Sequence, residues 1–319
     1  MDWVISHGSA LEYWRKASAK AALAKKSKRD AKHTARLPSV PLDAKWLRKR
    51  NHLGLTTPME ILVGNRNARK TCRDITCRTY VGQGIEGGFI RVAPNLFVSS
   101  PELCFMQLAS ELTLIKLIEI GYELCGGYRL EIPNNSGRGF RDDLPLTSVA
   151  ELSAFVEKTE RLKGRKNARK ALRHITDNSK SPRETILSML LTLPNNLGGY
   201  GFSKPKLNYR IDLPPLKNKT GQTKTYYCDL YWPEVKMDVE YDSDLYHTQP
   251  EQMAMDAIKK NDLTSLGIKV YTVTSRQVAS RDEMQRIAEQ LSKVLGKRLR
   301  LQVPKFAPRC TELRKVLLQ

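Results

Sequence analysis

Asp229, Glu240 and Asp242 stand in two neighbouring apolar stretches, Tyr227-Cys228-Asp229-Leu230-Tyr231-Trp232 and Met237-Asp238-Val239-Glu240-Tyr241-Asp242. Carboxylates gathered at one place repel each other unless protons or a cation neutralise them. Hard oxygen donors converging from two strands suit Mg²⁺ or Mn²⁺, which take a few carboxylates and keep waters and substrate phosphate as further ligands. Phosphodiester hydrolysis needs a water made nucleophilic and positive charge against the developing phosphorane, and a bound divalent ion supplies much of both. The same pattern also fits the solvated outer face of an antiparallel strand, where polar and apolar residues alternate as a matter of course. No G-x-x-x-x-G-K-[ST], H-E-x-x-H or G-x-S-x-G signature offers a competing chemistry.

The elements that must position these acids are short. Pro233 cannot donate to a strand ladder and fixes its own φ, so Trp232-Pro233-Glu234 predicts a turn. From Lys236 the alternation at period two places Met237, Val239 and Tyr241 on one face and Lys236, Asp238, Glu240 and Asp242 on the other. Asp229, on the preceding strand, can reach the same place. A helix is expected over 251–266, a strand over 269–274 and a closing helix over 282–295, with a hairpin over 213–224, basic at its tip, upstream. Lys259 falls on the first of these helices. His247 lies just beyond the acids and titrates near neutrality.

Asp-Leu-Tyr-Trp-Pro-Glu at 229–234, Val-Glu-Tyr-Asp at 239–242, His247, Asp256 with Lys259, Gly267 and Val-Tyr-Thr-Val-Thr at 270–274 occur in this order, after Ser181-Pro182-Arg183-Glu184-Thr185. Together, over roughly 179–298, they resemble the very-short-patch-repair-like branch of the PD-(D/E)xK nuclease superfamily. The resemblance implies a restriction-endonuclease-like mixed sheet flanked by helices and an Mg²⁺ (or Mn²⁺) cofactor. It places Asp229 as the first metal-binding aspartate, Glu240 as the second acid and Glu184 as a helix-borne ligand or water-positioning group. Asp242 stands where the superfamily lysine is found, which leaves Lys236 and Lys259 as the cations available and His247 as a proton donor or acceptor. Ser243 and Asp244 replace the glycine typical after the acid pair, so His247 is displaced. Two functions follow as alternatives: a DNA endonuclease in a phage-defence or toxin–antitoxin setting, with Asp229, Glu240 and Asp242 on the metal, or a DNA-binding regulator whose nuclease fold is silent.

Composition sets the partner class. Across 319 residues the formal net charge is +21, more than solubility needs, and the default partner of such a surface is a polyanion. Nucleic acid is therefore expected, and DNA by the resemblance. No run of 18 or more apolar residues and no apolar leader is present, so no membrane partner is expected and the cytoplasm is the expected location. The six scattered cysteines read as reduced structural thiols.

The amino-terminal half adds cations to a mixed α+β pattern. Val4 to Trp14 reads as a capped helix with Ser6 as the cap, and 15–36 is a basic block whose Lys25, Lys26, Lys28 and Arg29 are candidate phosphate contacts. Strand-like runs follow around Leu62, Ile75–Val81 and 89–99, then helices opened by Ser100-Pro101 and over 112–125, a polar connection over 132–146, and helices near 149–162 and 165–175. The last of these groups Lys166, Arg169, Lys170 and Arg173 on one broad face, a second candidate nucleic-acid surface. Ser6-His7-Gly8-Ser9-Ala10, the pattern around Leu62 and Val98-Ser99-Ser100-Pro101-Glu102 resemble the body of AbiEi-type antitoxins and regulators, over roughly 3–175, which implies a cognate toxin, antitoxin or defence protein as partner. The expected organisation is an α/β chain: a regulator-like region over 1–176, a nuclease-like domain over 177–300 and a basic tail over 301–319.

Overall fold

Trp3-Val4-Ile5 form not the start of a helix but a strand, β1 (Trp3–Ile5), and the helix, α1 (His7–Lys16), begins after it. These are two β-branched residues and an aromatic, at most 6% exposed, and they form the central strand of a sheet. In this computed structural model, residues 2–17, 36–39, 53–69, 73–80, 86–131, 139–159, 162–214, 224–242, 250–302 and 304–318 are described. The chain divides into two units, Met1–Ile175 and Thr176–Gln319, and both are of mixed α/β composition.

In the first unit β1 is flanked by β2 (Met59–Val63), antiparallel through Ile5 and Ile61, and by β5 (Leu96–Ser99), parallel through Ile5 and Val98. β3 (Ile75–Thr79) and β4 (Phe89–Ala93) complete the order β3-β2-β1-β5-β4. Ser6 sits at the cap position of α1 but does not cap it; its hydroxyl donates to Glu60 O instead. Gly8 N donates to Glu60 Oε2 at 2.7 Å and Glu60 N to Ser9 Oγ at 3.0 Å. The Ser-His-Gly-Ser element thus ties α1 to β2. Trp14, 1% exposed, donates its indole N–H to Ser99 O at 2.8 Å and joins the same helix to β5.

After the sheet come α2 (Pro101–Leu108), capped by Ser100 and packed on α1 and β5, and α3 (Leu114–Leu124), packed on α2. The polar connection expected over 132–146 contains a strand, β7 (Phe140–Asp142), that pairs with β6 (Tyr128–Leu130). α4 (Val149–Lys158) and α5 (Arg165–Leu172) close the unit.

His7 lies between opposing charges: Glu111 Oε1 is 4.0 Å from its Nε2, and Arg78 binds both Glu60 and Glu111. Burial, aided by Arg78 and opposed by Glu60, holds its pKa down at about 4. A depressed imidazole pKa stabilises the fold above the unfolded value and is lost as pH falls from about 6.5 through 4. Acidification across that window should therefore destabilise the first unit by on the order of 2 kcal/mol, and His7→Gln should remove that pH dependence in urea melts at pH 7 and pH 4.5.

The second unit opens with α6 (Pro182–Thr192), buried on most sides, with Leu187, Met189, Leu190 and Leu191 among its buried residues. Four strands follow in the order β11-β10-β9-β8. β8 (Lys206–Asp212), β9 (Thr225–Trp232) and β10 (Met237–Asp242) pair antiparallel, and β11 (Lys269–Thr274) returns parallel to β10 after a crossover through α7 (Pro250–Ser265). α8 (Ser275–Ala279) and α9 (Arg281–Val294) come next, the latter burying Met284, Ile287, Ala288 and Leu291 at the i, i+3, i+4, i+7 spacing.

The segment expected as a tail carries α10 (Phe306–Leu317), with Phe306, Cys310, Leu313 and Leu317 buried. It seats on Gly198, whose φ of +91° and contact with the Arg309 backbone leave no room for a side chain. Cys77, Cys104, Cys125, Cys228 and Cys310 are unbridged thiols, and Cys72 lies outside the described residues.

Candidate metal centre

The site is made by an interruption of the β8–β9 ladder. Pairs form at Leu207–Leu230 and Tyr209–Cys228, while Asn208, between them, adopts φ of +46°. Cys228 and Tyr231 pack in one apolar cluster with Leu263 and Ile268, although three residues apart in a strand should face opposite ways. The alternation therefore breaks at Asp229. Irregularities of this kind re-aim a side chain beside functional sites. Here Asp229 Oδ2 accepts from Tyr241 N at 2.9 Å, which brings its carboxyl up to Glu240.

Asp238 and Glu240, two apart on β10, share a face. Lys259 Nζ, from α7, lies 2.7 Å from each Glu240 oxygen and donates to Tyr227 O at 2.7 Å. Burial lowers the Lys259 pKa, and Glu240, with Asp229 and Asp238, more than offsets this and leaves it raised. Burial lifts the Asp229 carboxyl well above the usual range, and Glu240 and Glu184 lift it further. Asp238, fully buried, is raised by burial and then by Glu240 and Asp229. One lysine thus faces a concentration of carboxyl groups that it cannot neutralise alone.

Glu184 is in place beside them but differently employed. Its Oε2 accepts from Lys180 N at 2.9 Å and Asn208 Nδ2 at 2.7 Å, its Oε1 from Ser181 Oγ at 3.0 Å, and its own N–H donates to Ser181 Oγ. Burial raises its pKa and these bonds oppose the rise. It closes the start of α6 and, through Asn208, pins the residue opposite the Asp229 kink.

The structure brings Asp229, Glu240 and Lys259 together, with Asp242 two residues beyond Glu240 on the same strand. A cleft of about 490 Å³ is lined by Glu240, Asp242, Asp256, Lys259 and Lys260. Lys236 is not part of it. It occupies the exposed left-handed position that ends the turn Pro233–Val235, at φ +48°, and the four-residue step to Glu240 spans about 13 Å of strand. Beside the expected Asp229, Glu240 and Asp242, a second set of donor atoms gathers among the described residues: atoms of Cys228, Asp238 and Glu240 all lie within 4.8 Å of one another. Asp238 was legible from the period-two alternation, whereas Cys228 was hidden because the alternation fails at Asp229. His247, Ser243 and Asp244 lie outside the described residues, as do Lys25, Lys26, Lys28 and Arg29 and the 217–223 hairpin tip.

Lys166, Arg169 and Lys170 of α5 and its cap Arg173 are exposed on a common side, while Ala168, Ala171 and Leu172 are buried. Arg169 is partly neutralised by Glu157, Nε to Oε1 at 2.7 Å. A basic surface missed in the sequence lies in the second unit: a groove of about 1530 Å³ lined by Arg286, Lys293, Lys297, Arg298 and Arg300, with Glu289 as its carboxylate. No helix among the described residues is long and apolar enough to cross a membrane. Comparison with known proteins returns no matching family model, no matching curated protein and no matching solved structure.

Proposed function

We propose that the second unit is a divalent-metal-dependent endonuclease acting on DNA. The observation that carries this reading is the nearness of Asp229, from β9, to Glu240, from β10, with Lys259 against Glu240 at the cleft wall. Buried carboxyl groups in excess of local cations, Asp238 among them with Glu240 and the Cys228 thiol against it, fit a divalent cation. Asp229 and Glu240 would hold Mg²⁺ or Mn²⁺, with Asp242 on the cleft side. Such an ion supplies an activated water and charge for the phosphorane when bound. Lys259 holds the Glu240 carboxylate in one orientation and keeps a positive charge at the cleft, where a phosphate oxygen would develop negative charge. Asp229 is held by Tyr241 N, which fixes the direction of its other oxygen.

The direct test incubates purified protein with supercoiled and linear DNA in Mg²⁺, Mn²⁺ or EDTA, beside Asp229→Ala. Metal-dependent cutting that disappears in the variant supports the reading; salt-sensitive binding without cutting in any metal supports the alternative, a silent nuclease fold serving as a DNA-binding regulator. The engagement of Glu184 by Lys180 N, Ser181 Oγ and Asn208 Nδ2 favours that alternative. A defence or toxin–antitoxin setting, with a cognate partner protein, belongs to the same proposal.

DNA affinity is assigned to the basic surfaces. Reversing Lys297, Arg298 and Arg300 to Glu should weaken binding to unrelated sequences alike and lower the slope of log affinity against log salt by about 2–3, near one for each phosphate no longer neutralised. An unchanged slope would remove the groove from the interface.

A further inference from the structure

Cys228 reaches, from β9, the same small volume as Asp238 and Glu240 from β10, and we infer that the three form a divalent-cation site with a thiolate donor, selective for thiophilic ions such as Zn²⁺, Co²⁺ and Cd²⁺ over Mg²⁺. The inference shares Glu240 with the nuclease reading but concerns ion binding alone. Two donors on one ion, each about 2.0–2.3 Å from it, lie at most about 4.6 Å apart. The three donor atoms here all fall within 4.8 Å of one another, so small adjustments suffice.

A second observation points to a ligand independently of this proximity. Asp238 is 0% exposed, and among the described residues neither of its carboxylate oxygens has a partner at full hydrogen-bonding geometry, although Glu240 and the Cys228 thiol lie against it. A buried carboxylate so placed is costly unless a cation or proton meets it. The groups lying against it, Glu240 and the Cys228 thiol, bring no positive charge. Lys259, whose charge acts on Asp238, is committed to Glu240 and Tyr227 O.

The donor set then decides which ion. Two carboxylates alone would suit Mg²⁺ or Ca²⁺; one sulfur moves preference to borderline and soft ions, because Mg²⁺ binds thiolate poorly. Tyr231, Leu263 and Ile268 pack against Cys228. That dry shell disfavours a lone thiolate and strengthens a thiolate–metal bond once formed. Binding releases the thiol proton, and any proton shared by Asp238 and Glu240, to solvent as the ion takes their place. Glu240 also lines the cleft, which leaves a path for the ion and for a water ligand.

The experiment titrates the metal-free full chain with Co²⁺ and Cd²⁺, reading the thiolate-to-metal charge-transfer absorption, and with Zn²⁺ by calorimetry. One equivalent should bind with the charge-transfer band, and a thousandfold excess of Mg²⁺ should not displace it. Cys228→Ser should abolish the band and weaken Zn²⁺ binding about a hundredfold or more. Asp238→Asn, which keeps the sulfur and the shape, should weaken binding while retaining the band at saturating Co²⁺. Absence of a band in the unmodified chain, or a band that survives Cys228→Ser, overturns the site. So does an Asp238→Asn variant with unchanged Zn²⁺ affinity, which would mean that the cluster holds protons only. Because no DNA is present, none of these outcomes depends on whether the chain cuts it.

Discussion

Glu240→Gln should lower Mg²⁺-dependent DNA cleavage by about a thousandfold or more while DNA affinity changes less than about twofold. The substitution keeps size and polarity but removes the charge that Lys259 meets at 2.7 Å. It also removes one of the two carboxylates proposed to hold the ion. A thousandfold corresponds to about 4 kcal/mol of transition-state stabilisation, the scale seen when one electrostatic element of a preorganised site is removed. The phosphate-binding cations lie on other residues, so binding and cutting should separate. Single-turnover cleavage at saturating protein, paired with binding in Ca²⁺, measures both. Equal loss of affinity and rate would instead place Glu240 in the binding surface, and undiminished cleavage would remove it from the site.

The second large effect is on stability and belongs to the first unit. Glu123, whose side chain is 2% exposed, accepts from Arg15 at 2.7–3.2 Å through two nitrogens and from Leu130 N at 3.1 Å. It also faces Arg129, itself 1% exposed and held by the carbonyls of Glu123, Gly126, Tyr128 and Leu144. Burial lowers the Arg129 pKa, and Glu123 is the first of the charges that oppose this. Glu123→Met removes the counter-charge of one half-buried and one buried guanidinium. It should cost about 3–5 kcal/mol, as breaking a buried pair from one side does. Arg15→Met combined with it should recover part of that loss, because the charge left stranded is then gone. The chain has two units, so hydrogen exchange over Leu114–Leu124 and Tyr128–Leu130 is the measurement that assigns the loss to the right one.

Local chemistry made some of this architecture readable. Ser181-Pro182 starts α6 with the cap bond that Ser-Pro predicts, Pro233 makes its turn, and β11 runs from Lys269 to Thr274 as its β-branched alternation says. What escaped was decided by distant partners. Trp3–Ile5 is too short for a period, and only its pairing with Leu96–Val98 makes it a strand. Phe140–Asp142 likewise depends on Tyr128–Leu130. α10 had a readable stripe, Phe306, Cys310, Leu313 and Leu317, masked by its Arg and Lys residues. At the site, Asp229, Glu240 and Lys259 come from pattern and resemblance. The exclusion of Lys236 needed a left-handed turn, and the inclusion of Cys228 a broken alternation. Neither leaves a trace in residue spacing.

The seat of α10 on Gly198 has a bearing on how the second unit is made. The contact closes a loop of roughly 110 residues, and such distant pairings form late because chain closure must precede any gain from packing. A ribosome adding about 5–20 residues per second needs on the order of 5–20 s to travel from Gly198 to Arg309. Throughout that interval the turn after α6 waits for its cover, and the sheet that carries the acids is synthesised before the unit can lock. Chaperone engagement with the nascent chain should accordingly centre on the apolar α6 and cease once α10 has emerged.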